Sequence, residues 1–180
     1  LIENVIRKGK EAIMLVPGIS LTAQIVNKFY SHFGNDVAIF HSGLSNGEKY
    51  DEYLKILRDE VHIVVGTRSA IFTPLTNLGI IIIDEEHSET YKQDSNPRYH
   101  SLDMATFRSK YHHIPIVLGS ATPSLETMAR ALKGVYKYIE MPNRIGSSTL
   151  PKVEIIDMAE EMKKRNMIFS AGSVAALWAA

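Results

Sequence analysis

The chain has 180 residues, 45% of them hydrophobic and 22% charged, enough to bury one sizeable core, and its formal net charge is +0. That balance excludes a chain that coats a polyanion through bulk electrostatics, so any nucleic-acid contact must be local. Cysteine is absent, which excludes disulfides and thiolate metal sites; no apolar run nears the roughly 18 residues of a membrane span, and Glu3 and Arg7 do not suit a cleavable leader, so we expect a cytoplasmic protein without a membrane partner.

In chain order, Leu1, Val5 and Ile6 suit the end of an amphipathic helix, and a start without Met points to a piece of a longer protein. Short β-branched runs then alternate with helical patterns. Strands are predicted at Ala12–Val16, Val37–Phe40, His62–Val65, Ile80–Ile83, Ile114–Leu118 and Val135–Ile139. Helices are predicted at Leu21–Phe33, Gly47–Leu57, Leu102–Lys110 and Ser124–Lys133, with Ser20 and Ser124 as N-caps of two of them. Such alternation predicts an α/β fold, a mostly parallel sheet with helices on both faces, because continuous apolar strands need cover on each side. From Pro142 to Ser148 the composition reads as a surface linker, followed by a short strand at Val153–Ile156. Residues Ala171 to Ala180 are small and apolar, suiting either a further helix or an appended tail. The expected organisation is one domain over residues 1–140, then a linker and tail over 141–180.

Ligands of an open parallel sheet bind beyond the carboxyl ends of its strands. The most distinctive such position is the run Ile80–Ile83 followed at once by Asp84, Glu85, Glu86 and His87. A buried strand ending in two acids delivers them rigidly to the ligand edge. In phosphoryl transfer the first acid, Asp84, would hold Mg²⁺ through water and the second, Glu85, would position or deprotonate the attacking water. The plainer alternative is an acidic start to a solvated loop. After the strand ending at Leu118 come Gly119, Ser120, Ala121, Thr122 and Pro123. The hydroxyls of Ser120 and Thr122 can hydrogen-bond carboxylates at the neighbouring strand end and report nucleotide state to other loops; a turn followed by the Ser124 cap is the simpler reading.

Together, Asp84-Glu85-Glu86-His87 and Gly119-Ser120-Ala121-Thr122-Pro123-Ser124 resemble motifs II and III of the superfamily 2 helicases, in the wording of the PriA-like, DEAH-type replication-restart branch. Val16-Pro17, Leu21-Thr22 and Gln24 resemble that family's motif Ia, with Gly18 where the family usually has an acid and Ala23 where it usually has proline. His41-Ser42 with Leu44-Ser45 resembles its next conserved segment, and Gly66-Thr67-Arg68-Ser69-Ala70 resembles motif Ib. Tyr91-Lys92-Gln93, Arg98-Tyr99-His100 and Asp103 resemble the aromatic-rich loop after motif II. The resemblance covers roughly Leu1 to Ile156.

It implies a RecA-like first motor lobe of a 3′-to-5′ DNA helicase, driven by ATP with Mg, cytoplasmic and nucleoid-associated in bacteria. The partners it implies are single-stranded and forked DNA, primosome proteins and single-strand-binding protein. It also implies that His87 couples nucleotide state to motif III. Physically, Thr67 and Arg68 after a strand can grip phosphates without reading sequence, and Thr22 and Gln24 near a helix N-terminus can do likewise; a surface ion pair is the other reading of Arg68. Tyr91, Arg98, Tyr99 and His100 can stack on unpaired bases, although Tyr99 can equally pack on the following helix.

No Gly-x-x-x-x-Gly-Lys-Ser/Thr occurs: Gly9-Lys10 lacks the upstream glycine and the following hydroxyl. The family's second lobe with its arginine finger, its zinc-binding cysteines and its N-terminal DNA-binding region are likewise not found in this sequence. Zinc is therefore not expected, and we expect this chain alone not to hydrolyse ATP at a useful rate. Lacking the first strand and phosphate loop, the sheet is expected either to be marginally stable or to have an exposed edge open to self-association. Two rivals remain in other classes. One is a metal-dependent hydrolase using Asp84, Glu86, His87 and His112, and the other is a non-catalytic DNA-binding module. Another superfamily 2 DNA or RNA helicase is the rival nearest in class.

Overall fold

The computed structural model describes residues 1–141; the predicted strand Val153–Ile156 and the linker and tail lie outside the described residues. The chain divides into two units, Leu1–Tyr138 and Ile139–Ala180, and the fold below is that of the first.

Its centre is a five-stranded parallel sheet in the order β2-β3-β1-β4-β7, formed by β1 (Glu11–Leu15), β2 (Val37–Phe40), β3 (Ile63–Gly66), β4 (Leu78–Ile83) and β7 (Ile116–Leu118). Alternate side chains of each strand feed two separate cores. On one face Ile13, Leu15, Ala38, Val64, Ile81 and Ile83 pack with Ile56 of α3 (Asn46–Leu57) and Ala105 of α4 (Ser101–His112). On the other, Ala12, Val37, Ile39, Ile63, Val65 and Ile80 pack with Ile2, Val5 and Ile6 of α1 (Ile2–Ile6, with Arg7 as C-cap for Ile6) and with Val26, Phe29 and Phe33 of α2 (Ala23–Phe33). Helices thus cover both faces, as the continuous apolar strands predict, and the fold is an α/β parallel sheet.

Local chemistry sets the element ends. Ser45 begins α3 with a capping box, its hydroxyl accepting the Glu48 N–H and its own N–H donating to the Glu48 carboxylate. The predicted cap of α2 moves from Ser20 to Thr22, whose hydroxyl accepts from the Ile25 N–H while the Ser20 N–H turns back to the Pro17 carbonyl. Strand β7 is shorter than predicted. Pro115 has no N–H to add to a ladder and Ile114 donates to Ser109, so pairing starts at Ile116.

The predicted strand Val135–Ile139 is not formed. After α5 (Leu125–Leu132), Gly134 takes φ +74° and the N–H groups of Val135 and Tyr136 fold back onto the Arg130 carbonyl. Those donors close the helix end and are spent before a ladder can use them. Among the described residues no strand pairs with the outer edge of β7.

Two buried or half-buried polar clamps connect the loops. Arg108 of α4 donates to the carbonyls of Ile71, Thr73 and Leu75 at 2.6, 2.9 and 2.9 Å, holding the segment between β3 and β4 against the helix. At the amino end of the sheet, Asp36 accepts from both the backbone N–H of His62, at 2.8 Å, and its ring Nδ1, at 2.6 Å. This bond, more than the nearby Asp36, Asp59 and Glu11 charges, holds the His62 pKa above its ordinary value of 6.5. A histidine raised on folding adds stability that is fully present below its unfolded value and fades as pH rises through the folded one. We therefore expect the Asp36–His62 coupling, from a double-mutant cycle of Asp36→Asn and His62→Gln in urea titrations, to be larger at pH 5.5 than at pH 8.5; a coupling that grows with pH would contradict the assignment.

Candidate nucleotide and nucleic-acid site

Every predicted functional loop leaves the carboxyl edge of the sheet. Strand β4, paired on both sides, ends at Ile83, and the Asp84 N–H continues its ladder by donating to Leu15 at 2.9 Å. Beyond it the chain turns sharply. Glu85 adopts φ +45°, a left-handed conformation uncommon for a residue with a side chain, its N–H donates to Asp84 Oδ1 at 3.0 Å and its carbonyl accepts the Ser88 N–H. The consecutive acids consequently project from a tight turn, both half-buried.

The loop after β7 lies directly against this turn. Gly119 donates to the Ile83 carbonyl at 2.8 Å and accepts from the Glu86 N–H at 3.0 Å. Its lack of a side chain eases this close approach: a methyl group there would stand 3.3 Å from Asp84 Oδ1, and the carboxylate would have to give by a few tenths of an ångström. Ser120 Oγ lies 2.7 Å from His87 Nδ1, and Thr122 Oγ1 lies 3.4 Å from His87 Nε2. The residue types suggested carboxylate partners for these hydroxyls and the family resemblance a coupling to His87; in the structure they meet the imidazole, while Asp84 Oδ1 accepts from its own loop. One ring thus touches both hydroxyls of the second loop.

Glu86 has a role that the sequence reading did not assign to it. It is only 6% exposed, and its carboxylate accepts from the Ser124 N–H at 2.7 Å, the Ser124 hydroxyl at 3.2 Å and the Thr127 hydroxyl at 3.0 Å. It therefore fastens the acid loop to the first turn of α5, where a negative charge is favoured by the helix dipole. No local pattern marks this, since the partners lie 38 and 41 residues away. The same bonds dismantle the rival metal set. Glu86 has its oxygens occupied, His112 ends α4 before β7 begins, at the opposite edge of the sheet, and among the described residues no group of three potential ligands could hold a metal ion.

The predicted DNA-contacting residues divide. Thr22 and Gln24 are exposed at the start of α2, and Thr67 faces the same region, its methyl 3.9 Å from where a Gly18 side chain would begin. Arg68 opens a 3-10 turn, Arg68–Phe72, and its Nη1 donates to the carbonyls of Lys92 at 2.9 Å and Thr90 at 3.4 Å, an arrangement neither of its readings anticipated. The aromatic loop contains a small hairpin of β5 (Lys92–Gln93) and β6 (Tyr99–His100). Tyr91 is corrected as a base-stacking residue: it is 1% exposed, and its hydroxyl donates to the Asp84 carbonyl at 2.6 Å. Burial, with the Asp84 and Glu85 charges adding to it, pushes its phenol pKa far up, so it stays a neutral donor. Tyr99 stands edge-on to Phe72 with ring centroids 4.9 Å apart. Arg98 Nε donates to the Asp94 carbonyl and remains exposed, whereas His100 Nδ1 caps α4 by accepting the Leu102 N–H.

Strand-borne acids and a histidine-linked hydroxyl loop at the carboxyl edge of a five-stranded parallel sheet define a RecA-like α/β fold. The chain belongs to the DEAD/DEAH box helicase family, whose model matches residues 1–131. It is similar to the replication restart protein PriA of Bacillus subtilis, with 57% identity over 92% of this chain and 20% of that protein. The PriA protein of Synechocystis is 48% identical over 94% of this chain and 21% of its own length, and that of Chlamydia trachomatis 45% identical over 89% and 22%. The chain spans about a fifth of the length of these relatives. No helix among the described residues is long and apolar enough to cross a membrane.

Glu86→Ala leaves the Ser124 and Thr127 donors without their charged acceptor, and we expect a loss of roughly 2 kcal/mol or more in unfolding free energy. Amide exchange should show faster opening of Ser124–Met128 than of β1. Unchanged exchange in the first turn of α5 would refute the fastening role.

Proposed function

We propose that this chain is part of the first motor lobe of an ATP-dependent 3′-to-5′ DNA helicase that acts in primosome assembly and replication restart. The observation that carries the reading is His87 in reach of both Ser120 and Thr122, beside the Asp84-Glu85 turn at the end of β4. The high identity to replication restart proteins along nearly the whole chain supports the same conclusion.

In this reading Asp84 would hold Mg²⁺ through water, and Glu85 would orient the attacking water and take its proton. The donor set suits that ion, which retains most of its waters and takes few carboxylates. When bound, the ion would neutralise charge developing on the phosphate oxygens. Loss of the terminal phosphate changes what the acid turn faces, and His87 passes the change to Ser120 and Thr122. Thr22, Gln24 and Thr67 hold the strand by its phosphates, and Arg98, Tyr99 and the hairpin carry the bases. Arg68 acts through the hairpin, since its guanidinium grips the Thr90 and Lys92 carbonyls. Single-stranded and forked DNA are the substrates, and primosome proteins and single-strand-binding protein the partners, in the bacterial cytoplasm at the nucleoid.

The sequence of this chain contains no phosphate-cradling glycine-lysine loop, so the nucleotide phosphates lack their main backbone donors. We expect the purified 180-residue chain to show no DNA-stimulated phosphate release. DNA-stimulated turnover that Glu85→Gln abolishes would overturn that expectation. For the DNA contacts, the Arg68→Ala, Tyr99→Ala double variant is expected to bind single-stranded oligonucleotide at least tenfold more weakly by fluorescence polarisation, and unchanged affinity would remove the assignment of both loops.

A further inference from the structure

A cavity of about 310 Å³ lies at the amino end of the sheet, the end opposite the acid turn. It is built where three strands begin: Glu11 opens β1, Asp59 and His62 precede β3, and Thr76 and Asn77 precede β4. Ile56, Leu57 and Pro74 give it an apolar side, on which Leu57 is 56% exposed. None of these residues belongs to a motif named above.

The polar side of the cavity is short of positive charge. Glu11 is only 6% exposed, and its Oε2 accepts from the Asn77 N–H at 2.5 Å. Its Oε1 takes no hydrogen bond among the described residues, and since none of their buried side-chain oxygens is left unbonded, that atom opens onto the cavity. Burial, against the pull of the Asn77 N–H, raises the Glu11 pKa above its ordinary value of 4.5. No salt bridge among the described residues reaches Glu11, and Asp59 has only the His62 ring, 3.8 Å away. The basic side chains nearby are engaged elsewhere. Lys10 donates to Asn77 Oδ1 at 2.6 Å, and Arg58 lies 3.9 Å from Glu60. Arg108, close enough for Glu11 to attract its charge, directs Nη1 and Nη2 to the carbonyls of Ile71, Thr73 and Leu75.

We propose that this cavity receives an arginine side chain of a partner protein, its guanidinium between Glu11 and Asp59 and its methylene stem along Leu57 and Pro74. A guanidinium stays charged when desolvated and offers several N–H donors to carboxylates, while its stem covers apolar surface. A metal ion does not fit, because among the described residues no group of three potential ligands could hold one. Neither the nucleotide nor the strand-binding reading is needed for this assignment, since both sit at the other end of the sheet.

The test titrates a capped alanyl-arginyl-alanine peptide into the nitrogen-labelled 180-residue chain and follows backbone amide shifts. Saturable shifts centred on Gly9, Asp59, His62 and Asn77 are expected, and none from the same peptide carrying neutral citrulline in place of arginine. Glu11→Gln removes the charge but keeps an acceptor for the Asn77 N–H, and should weaken binding roughly fivefold or more. Asp59→Asn should weaken it about twofold. That second variant spares the fold, because Asp59 is exposed and has φ +58°, a left-handed conformation that asparagine adopts readily. The proposal is overturned by the absence of saturable shifts, by equal shifts from the citrulline peptide, by shifts centred on Asp84 and Glu85, or by unchanged affinity in both variants. Guanidinium chloride, which has no stem, is expected to bind more weakly than the peptide; equal affinity would give the cavity to a free small cation and overturn the side-chain assignment.

Discussion

The constraint on which the site depends is that β4 is buried on both faces and paired on both sides. Ile80, Ile81 and Ile83 are at most 4% exposed and are divided between two cores. A shift of one residue would exchange the cores and leave ladder groups unpaired, so the strand end is fixed in three dimensions. Asp84 inherits that rigidity through its own bond to β1. Acids presented this way need no reorganisation when charge develops beside them, which is the condition for strong electrostatic assistance.

The loops around these acids are joined by polar contacts of different kinds. Glu86 makes a permanent, buried connection to α5, while His87 meets Ser120 and Thr122 near the surface, where a hydrogen bond can be exchanged at small cost. Neighbouring residues thereby divide a buried tie from a surface contact. Behind them Tyr91 and Ser101 tie the turn to the segment after β3, since Tyr91 bonds Asp84 and Ser101 bonds the carbonyls of Arg68 and Tyr91. The acid turn, the 3-10 turn and the aromatic hairpin consequently form one hydrogen-bonded neighbourhood.

Much of this was legible in the sequence because burial on both faces writes itself as unbroken β-branched runs, and five of the six strands predicted within the first unit are present with ends shifted by a few residues at most. What failed did so where distant geometry decides. Val135 to Ile139 has strand composition but spends its first donors on the end of α5. Tyr91 reads as an exposed ring beside polar neighbours, yet its hydroxyl finds a carbonyl seven residues back and the ring goes inside. Arg68 reads as a phosphate grip or a surface ion pair, and its acceptors are backbone carbonyls 22 and 24 residues on. Proximity of the two motif loops was inferred from the strand ends and the partnership of His87 with the second loop from the family resemblance; the backbone turn at Glu85, which sets how the imidazole meets both hydroxyls, is announced by no residue type there.

Close approach of Gly119 to Asp84 carries an implication for how such a site can diversify. Two loops far apart in sequence share a single van der Waals boundary, so a side chain added on one side presses on the Asp84 carboxylate on the other. Side chains beyond the glycine can change without crossing that boundary, while Asp84 stays where the sheet puts it.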